Sequence, residues 1–262
     1  MASTGSRPID TPCALLWSTL ALMTLLVPVS HGAADDTRLR YSRASPSWLQ
    51  AVGTLRVPGL KLRDGYPRHH TEHCSATLVG GDADSANTIV TAWHCLEFYR
   101  DLSHRIVFTL LPATDQAIAI EALLLADGGG MPADWAVLRL RQAVPASQVR
   151  ALRPHPGQPD PDRPIIMAGY SRDAGIGASG TALSYDPDCR ITGAGDRVSR
   201  DSNCRAHKGA SGGAVIQLSP GGEPLLSGVV SEGDGAGISR FVPVSVFRRN
   251  LPGRVTAAPH GD

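Results

Sequence analysis

The sequence predicts an all-β protein: two small antiparallel β-barrels joined by a proline-rich linker, with a short C-terminal helix. Three observations predict it. Glycine (28) and proline (20) are abundant among 262 residues, which suits many short strands joined by turns better than a helical bundle. Short β-rich runs recur between turn signals along most of the chain. A proline-dense stretch over residues 145–164 divides those runs into two halves of similar size. Hydrophobic residues make up 42% and charged ones 19%, as in a soluble globular protein. Lysine and arginine total 25 against 24 acidic residues, a net charge of +1. Without a basic face or run, no nucleic-acid partner is expected.

The chain opens on a segment unlike the rest. Arg7 supplies a positive start, residues 14–29 are almost wholly apolar, and Gly32-Ala33-Ala34 precede the acidic Asp35-Asp36. This is the layout of a signal peptide over residues 1–34. The apolar run contains Pro28 and falls short of the ~20 residues a membrane span needs. Cys13 stands at the front of the run, where a lipoprotein cysteine would not. The expectation is therefore cleavage, secretion or periplasmic residence, and no membrane association afterwards. Residues 35–47 (DDTRLRYSRASPS) are polar and read as a flexible arm or short propeptide.

The first barrel is read over residues 48–145, with β-rich runs at 51–57, 75–79, 88–92, 105–111, 118–125 and 134–140. Residues 146–163 form the linker. The second barrel is read over 164–252, with runs at 164–169, 181–185, 214–218, 225–231 and 239–244 and a helix over 245–251. A tail, 253–262, follows. Once the leader is removed, Cys74, Cys95, Cys189 and Cys204 remain. An even number in an exported chain argues for disulfides. Three pairings are possible on paper. Pairing sequence neighbours would put one bridge in each half, closing loops of roughly 15–22 residues worth about 3 kcal/mol each.

Three segments carry chemistry, in the order His, Asp, Ser. Thr91-Ala92-Trp93-His94-Cys95 follows a β-like run. Asp134-Trp135-Ala136-Val137-Leu138-Arg139-Leu140 puts an acid at the head of a strand. Gly209-Ala210-Ser211-Gly212-Gly213-Ala214 is a glycine-flanked serine entering an apolar run. A serine hydroxyl is a poor nucleophile until a base takes its proton, and histidine does so near neutral pH. An acid then holds the imidazole in the right tautomer and stabilises its cation. Glycines around the serine permit a turn that aims the Gly209 and Ser211 N–H groups at a developing oxyanion.

These blocks resemble those of the trypsin-like (chymotrypsin-fold) serine proteases. Thr91–Cys95 is similar to that family's Thr-Ala-Ala-His-Cys, with Trp93 for the second alanine. Asp134–Leu140 resembles Asp-Ile-Ala-Leu-Leu-Lys-Leu, and 209–213 resembles Gly-Asp-Ser-Gly-Gly. Cys74-Ser75-Ala76-Thr77-Leu78-Val79 resembles the strand before the histidine, and Gly169-Tyr170 the opening of the second barrel. Ser231-Glu232-Gly233 falls where members carry Ser-Trp-Gly, the segment that pairs with substrate backbone. The resemblance runs from about residue 48 to 251, and the spacings, 40 residues from His94 to Asp134 and 77 on to Ser211, are family-like. It implies two six-stranded antiparallel barrels with the active site between them. It implies a His94–Asp134–Ser211 triad, peptide or protein substrates, no cofactor and a monomer. It also implies a Cys74–Cys95 bridge tethering the histidine loop, with Ser231 and Gly233 lining the substrate site.

The chain departs from the family at two places. Ala210 stands where most members carry an aspartate that pairs with a freed N-terminus, so activation by N-terminal insertion is not expected. Bacterial relatives of glutamyl endopeptidases often lack that carboxylate, and their short spacing resembles this chain. Arg205 stands six residues before Ser211, at the family's pocket base, which argues against cleavage after Lys or Arg. With His207 and Lys208 nearby, it points to charge pairing with an acidic P1 residue. Gly-x-Ser-x-Gly is also the nucleophile elbow of α/β-hydrolases. Those need acid and histidine after the serine, whereas the 51 residues after Ser211 hold only His260. His69, His70 and His73 precede Cys74 but match no metal spacing and read as a solvated loop. Asp127-Gly128-Gly129-Gly130 reads as a flexible loop. The functional expectation is a serine endopeptidase acting through an acyl-enzyme, the alternative being a catalytically silent protease-like binding module.

Overall fold

The chain reaches the first barrel through β1 (Leu39–Arg40) and a 3-10 turn, Ser47–Ala51. The computed structural model describes residues 1–2, 36–81, 84–99, 104–196 and 198–251. The expected leader beyond its second residue, Cys13 with it, and the tail 253–262 lie outside the described residues. No helix among the described residues is long and apolar enough to cross a membrane.

The first barrel contains β2 (Val52–Arg63), β3 (Tyr66–Val79), β4 (Ser85–Thr91), β5 (Ile106–Leu110), β6 (Ile118–Asp127) and β7 (Ala136–Pro145). It closes in the order β2-β3-β4-β7-β6-β5. Each of the six runs read from the sequence falls on one of these strands. The clearest is β5, where Ile106, Phe108 and Leu110 are buried and the residues between them half-buried, the period of two that a barrel wall requires. Strands β2 and β3 run well beyond the predicted pieces, pairing from Val52 with Thr77 out to Arg63 with Tyr66. Their outer halves hold Lys61, Arg63, Arg68 and His69 and bury little, so no apolar alternation betrays them. The turn does: Asp64 (φ 53°) and Gly65 (φ 79°) form the two-residue Asp-Gly connection that favours a hairpin.

The second half comprises β8 (Arg153–Pro154), β9 (Ile165–Gly169), β10 (Ser184–Cys189), β11 (Ile191–Ala194), β12 (Arg200–Ser202), β13 (Ala214–Leu218), β14 (Pro224–Gly233) and β15 (Ser239–Pro243). With β1 they make a nine-stranded sheet in the order β1-β10-β9-β13-β14-β15-β12-β11, and β8 adds in parallel to β14. This corrects the expectation of a second closed six-stranded barrel. Register shifts between Asp186 and Cys189 and between Ile191 and Gly193 break the ladder on both sides of Arg190, where β10 passes into β11. The path of paired strands ends at β1 and β11 and stays open among the described residues. Ile165, Met167, Val215, Val230 and Phe241 pack on one face of this sheet, and their neighbours Ala168, Ala214, Ile216, Val229 and Val242 pack on the other with the first barrel's core. The proline-rich stretch is stitched down: Leu152 donates to Leu78 and accepts from Gly80, both at 3.0 Å. The C-terminal helix α1 (Val244–Phe247) is a single turn continued by a 3-10 turn, Arg248–Asn250.

Candidate active site

Register in the first barrel sets the first two side chains. Thr91 of β4 pairs with Ala136 of β7, so His94, just past one strand, and Asp134, just before the other, leave the same end of the barrel. His94 sits in the 3-10 turn Trp93–Leu96, which Cys95 ties back to Cys74 of β3 through a 2.02 Å S–S bond. Asp134 follows the turn Met131–Ala133, and Trp135 beside it stacks on Phe247 of α1 with centroids 5.5 Å apart.

Asp134 is 1% exposed, so its charge depends on donors. Its Oδ1 accepts the His94 backbone N–H at 2.9 Å, and its Oδ2 lies 2.8 Å from His94 Nδ1. Ser231 Oγ donates to Oδ2 at 2.5 Å. Burial alone would raise the carboxyl's pKa. The hydrogen bond and charge of His94, joined by the Ser231 hydroxyl, hold it below its ordinary value. Burial pulls the imidazole of His94 down, and Asp134's hydrogen bond and charge outweigh that, leaving it above its ordinary value.

Ser211 lies on the turn that enters β13. Its Oγ donates to the Ser231 carbonyl at 3.2 Å, so in the resting protein this hydroxyl is held by β14 and not by the imidazole. Two neighbouring peptides are oriented by their carbonyls. The Lys208 carbonyl accepts the Arg172 N–H at 2.7 Å, and the Ala210 carbonyl accepts the Gly213 N–H at 2.8 Å. In a trans peptide the N–H points opposite to the C=O, so the N–H groups of Gly209 and Ser211 are turned away from those partners. Among the described residues neither N–H has an acceptor. Gly209 holds φ +97°, and a Cβ there would stand 2.6 Å from the Tyr170 carbonyl oxygen, so only glycine fits.

A cleft of about 460 Å³ opens beside Ser211, lined by His94, Met131, Ala206, His207, Lys208 and residues 230–233 of β14. Ser231 and Gly233 are both in that wall. A Cβ on Gly233 would meet the Ala206 carbonyl oxygen at 2.4 Å. Arg205 is not among the lining residues; its N–H donates to Asp186 at 2.9 Å and its charge acts on Asp36. The basic side chains at the cleft are those of His207 and Lys208, while Glu232 is paired with Arg240 at 3.4 Å. Ala210 is 3% exposed in the apolar cluster with Ile165, Met167 and Phe241. Cys189 and Cys204 are bonded at 2.05 Å.

The histidines before Cys74 go separate ways. His70 bonds Glu72 at 2.8 Å and His69 faces His104 with centroids 6.0 Å apart. Among the described residues the one trio of close metal-type ligands is Cys74, His94 and Cys95, and its two sulfurs are bonded to each other. Sequence reasoning missed the wider role of Ser75. Its Oγ donates to the Gly209 carbonyl and accepts the Tyr170 N–H, and its own N–H donates to the Ser211 carbonyl, all at 2.8 Å. A buried serine one residue after Cys74 was the available signal. Arg38, 3% exposed in the segment read as an arm or propeptide, carried none.

Residues 74–222 match the family model described as a trypsin-like peptidase domain. Among solved structures the chain is similar to the thermostable serine protease AL20 from an extremophilic microorganism, at 18% identity and TM-score 0.56, covering 78% of this chain and 96% of that one. It is also similar to the protease Anisep from Arthrobacter nicotinovorans, at 17% identity and TM-score 0.56, with 76% and 92% covered. The active form of the Rv3671c protease from M. tuberculosis gives 16% identity and TM-score 0.53, with 82% and 85% covered. These likenesses concern the fold. No curated protein sequence matches the chain.

Proposed function

The chain belongs to the trypsin-like peptidase family and is a serine-type peptidase, and from that premise we propose that it is a secreted or periplasmic endopeptidase working through an acyl-enzyme on Ser211. The observation that carries the proposal is the Asp134–His94 pair, bonded at 2.8 Å and opening onto the same cleft as Ser211. In the proposed reaction Ser211 Oγ leaves the Ser231 carbonyl, gives its proton to His94 and bonds to the substrate carbonyl carbon. The oxyanion is received by the Gly209 and Ser211 N–H groups, one such donor being worth about 10²–10³ in rate. His94 passes its proton to the departing amine as the peptide C–N bond breaks, and water activated by the same imidazole releases the acyl group. Freed of Ser211, the Ser231 carbonyl accepts a substrate N–H. No cofactor enters. Two disulfides support an oxidising compartment.

A fluorophosphonate probe on the purified mature protein tests this. Labelling that vanishes in Ser211→Ala is expected. Absence of labelling in folded protein would favour the silent binding module, a reading the Ser211–Ser231 bond gives some ground. For specificity we propose an acidic P1 residue, favoured by His207 and Lys208 at the cleft. A peptide library should show enrichment of Glu and Asp before the scissile bond. Cleavage without acidic preference would remove that part alone.

A further inference from the structure

Ala210 cannot anchor the oxyanion turn by a carboxylate, so something else must hold the Lys208–Gly209 peptide. Its carbonyl is held by the Arg172 N–H, at 2.7 Å, on the loop 171–181. That loop is gripped by the segment before the first barrel. Arg38 is 3% exposed, and its guanidinium spans two carboxylates. Nε and Nη2 take Asp36 at 3.0 and 2.6 Å, and Nη1 takes Asp173 at 2.8 Å. Asp173 Oδ2 accepts the Gly177 N–H at 3.2 Å and its carbonyl the Ser179 N–H at 2.8 Å, so the loop folds around the residue that Arg38 holds. Arg40 adds a second grip, donating to the carbonyls of Ile176 and Gly175 at 3.1 and 3.0 Å. Leu39 and Arg40 of β1 pair with Tyr185 and Ser184, and Thr37, just before Arg38, donates to Asp186, the carboxylate that also receives the Arg205 N–H.

We propose that Arg38 is a positioning residue for the oxyanion turn. Its internal guanidinium, within a permanently retained segment 36–40, orders the loop 171–181 and through Arg172 keeps the Gly209 N–H aimed at the substrate. The proposal rests on the peptidase reading of Ser211 and its neighbours. Three features carry it. The cation is buried between Asp36 and a carboxylate 135 residues further along the chain than itself, a bidentate and charge-assisted arrangement that a lone surface pair lacks. Burial would lift Asp173, yet the Arg38 hydrogen bond holds its carboxyl at about 2, so the pair stays ionised across the working pH range. The path from Arg38 to Gly209 consists of one ion pair, one folded loop and one backbone hydrogen bond. The segment is accordingly no propeptide: the active form begins at or before Asp36.

The test compares wild type with Arg38→Met and Arg38→Lys in the full mature chain. Arg38→Met is expected to lower kcat about 10²–10³-fold, the effect of losing one oxyanion donor, with KM changed less than about threefold. Arg38→Lys should recover part of that loss, and added guanidinium ion should partly rescue Arg38→Met. A kcat within threefold of wild type in folded Arg38→Met, or a loss shared equally with KM and not rescued, overturns the proposal, the second outcome marking a merely structural role. So does an active form whose intact mass places its start after Asp36. Amide exchange in the Ser211→Ala background needs no activity. Arg38→Met should speed exchange in segments 171–181 and 207–211 and leave the first barrel unchanged, and unchanged exchange in those segments overturns the proposal even if the peptidase reading itself fails.

Discussion

At the scale of single residues, Asp134 shows how the proposed triad depends on neighbours and not on isolated side chains. A carboxylate with 1% exposure keeps its charge only because two donors from His94 and one from Ser231 surround it. That charge raises the affinity of His94 for a proton, and the base works only when the proton is absent. The rising limb of kcat/KM against pH should therefore have its midpoint above the ordinary histidine value of 6.5. Asp134→Asn removes the charge that raises it. The midpoint should fall, and kcat should drop about 10⁴-fold as the tautomer is lost. A pH–rate profile whose midpoint is the same in both proteins would contradict this coupling.

At the scale of elements, the turn into β13 is shaped by what crowds it. Gly212 holds φ +83°, and a Cβ there would stand 2.1 Å from both the Ser75 carbonyl oxygen and Thr91 Oγ1. Thr91 Oγ1 already donates to that carbonyl at 2.8 Å, so neither can yield without breaking the other's bond. Gly212→Ala should cost about 1–2 kcal/mol for backbone handedness alone. The displaced Ser211 should lower kcat about 10²-fold, the scale of a misplacement near 1 Å. Thermal unfolding and initial rates measure the two parts separately, and a variant of wild-type rate would show the turn to be softer than its contacts imply.

At the scale of the whole molecule, one disulfide in each half restrains the chain. Cys74–Cys95 spans 21 residues and holds the His94 turn to β3, while Cys189–Cys204 spans 15 and joins β10 to the segment before Arg205. Each is worth about 3 kcal/mol in the chain-entropy model. Reducing both should lower Tm by about 10–20 °C, and activity should fail first through Cys74–Cys95, because that bond adjoins the base. A scan with and without reductant checks the first figure. A shift of only a few degrees would mean that packing in the two cores dominates.

Much of this was legible in the sequence, and the reason is locality. Strands such as β5 announce themselves through a period of two, and the His, Asp and Ser blocks through short strings whose chemistry is complete in a few residues. The order and spacing of those blocks then sufficed to read the all-β trypsin-like fold and to propose the triad. What only the tertiary structure decided depends on partners far away along the chain. Whether the second sheet closes depends on which strands meet at its ends, here β1 on β10 and β11 on β12. The burial of Arg38 follows from Asp173, 135 residues later, and the reach of Ser75 from Gly209, 134 residues later. The Arg205 backbone N–H donates to Asp186, and its charge helps to hold Asp36 below the ordinary carboxylate value. A polar residue in isolation reads as surface, because desolvating it is costly; it enters the interior only when folding delivers its counterpart, and no local pattern in the sequence records that meeting.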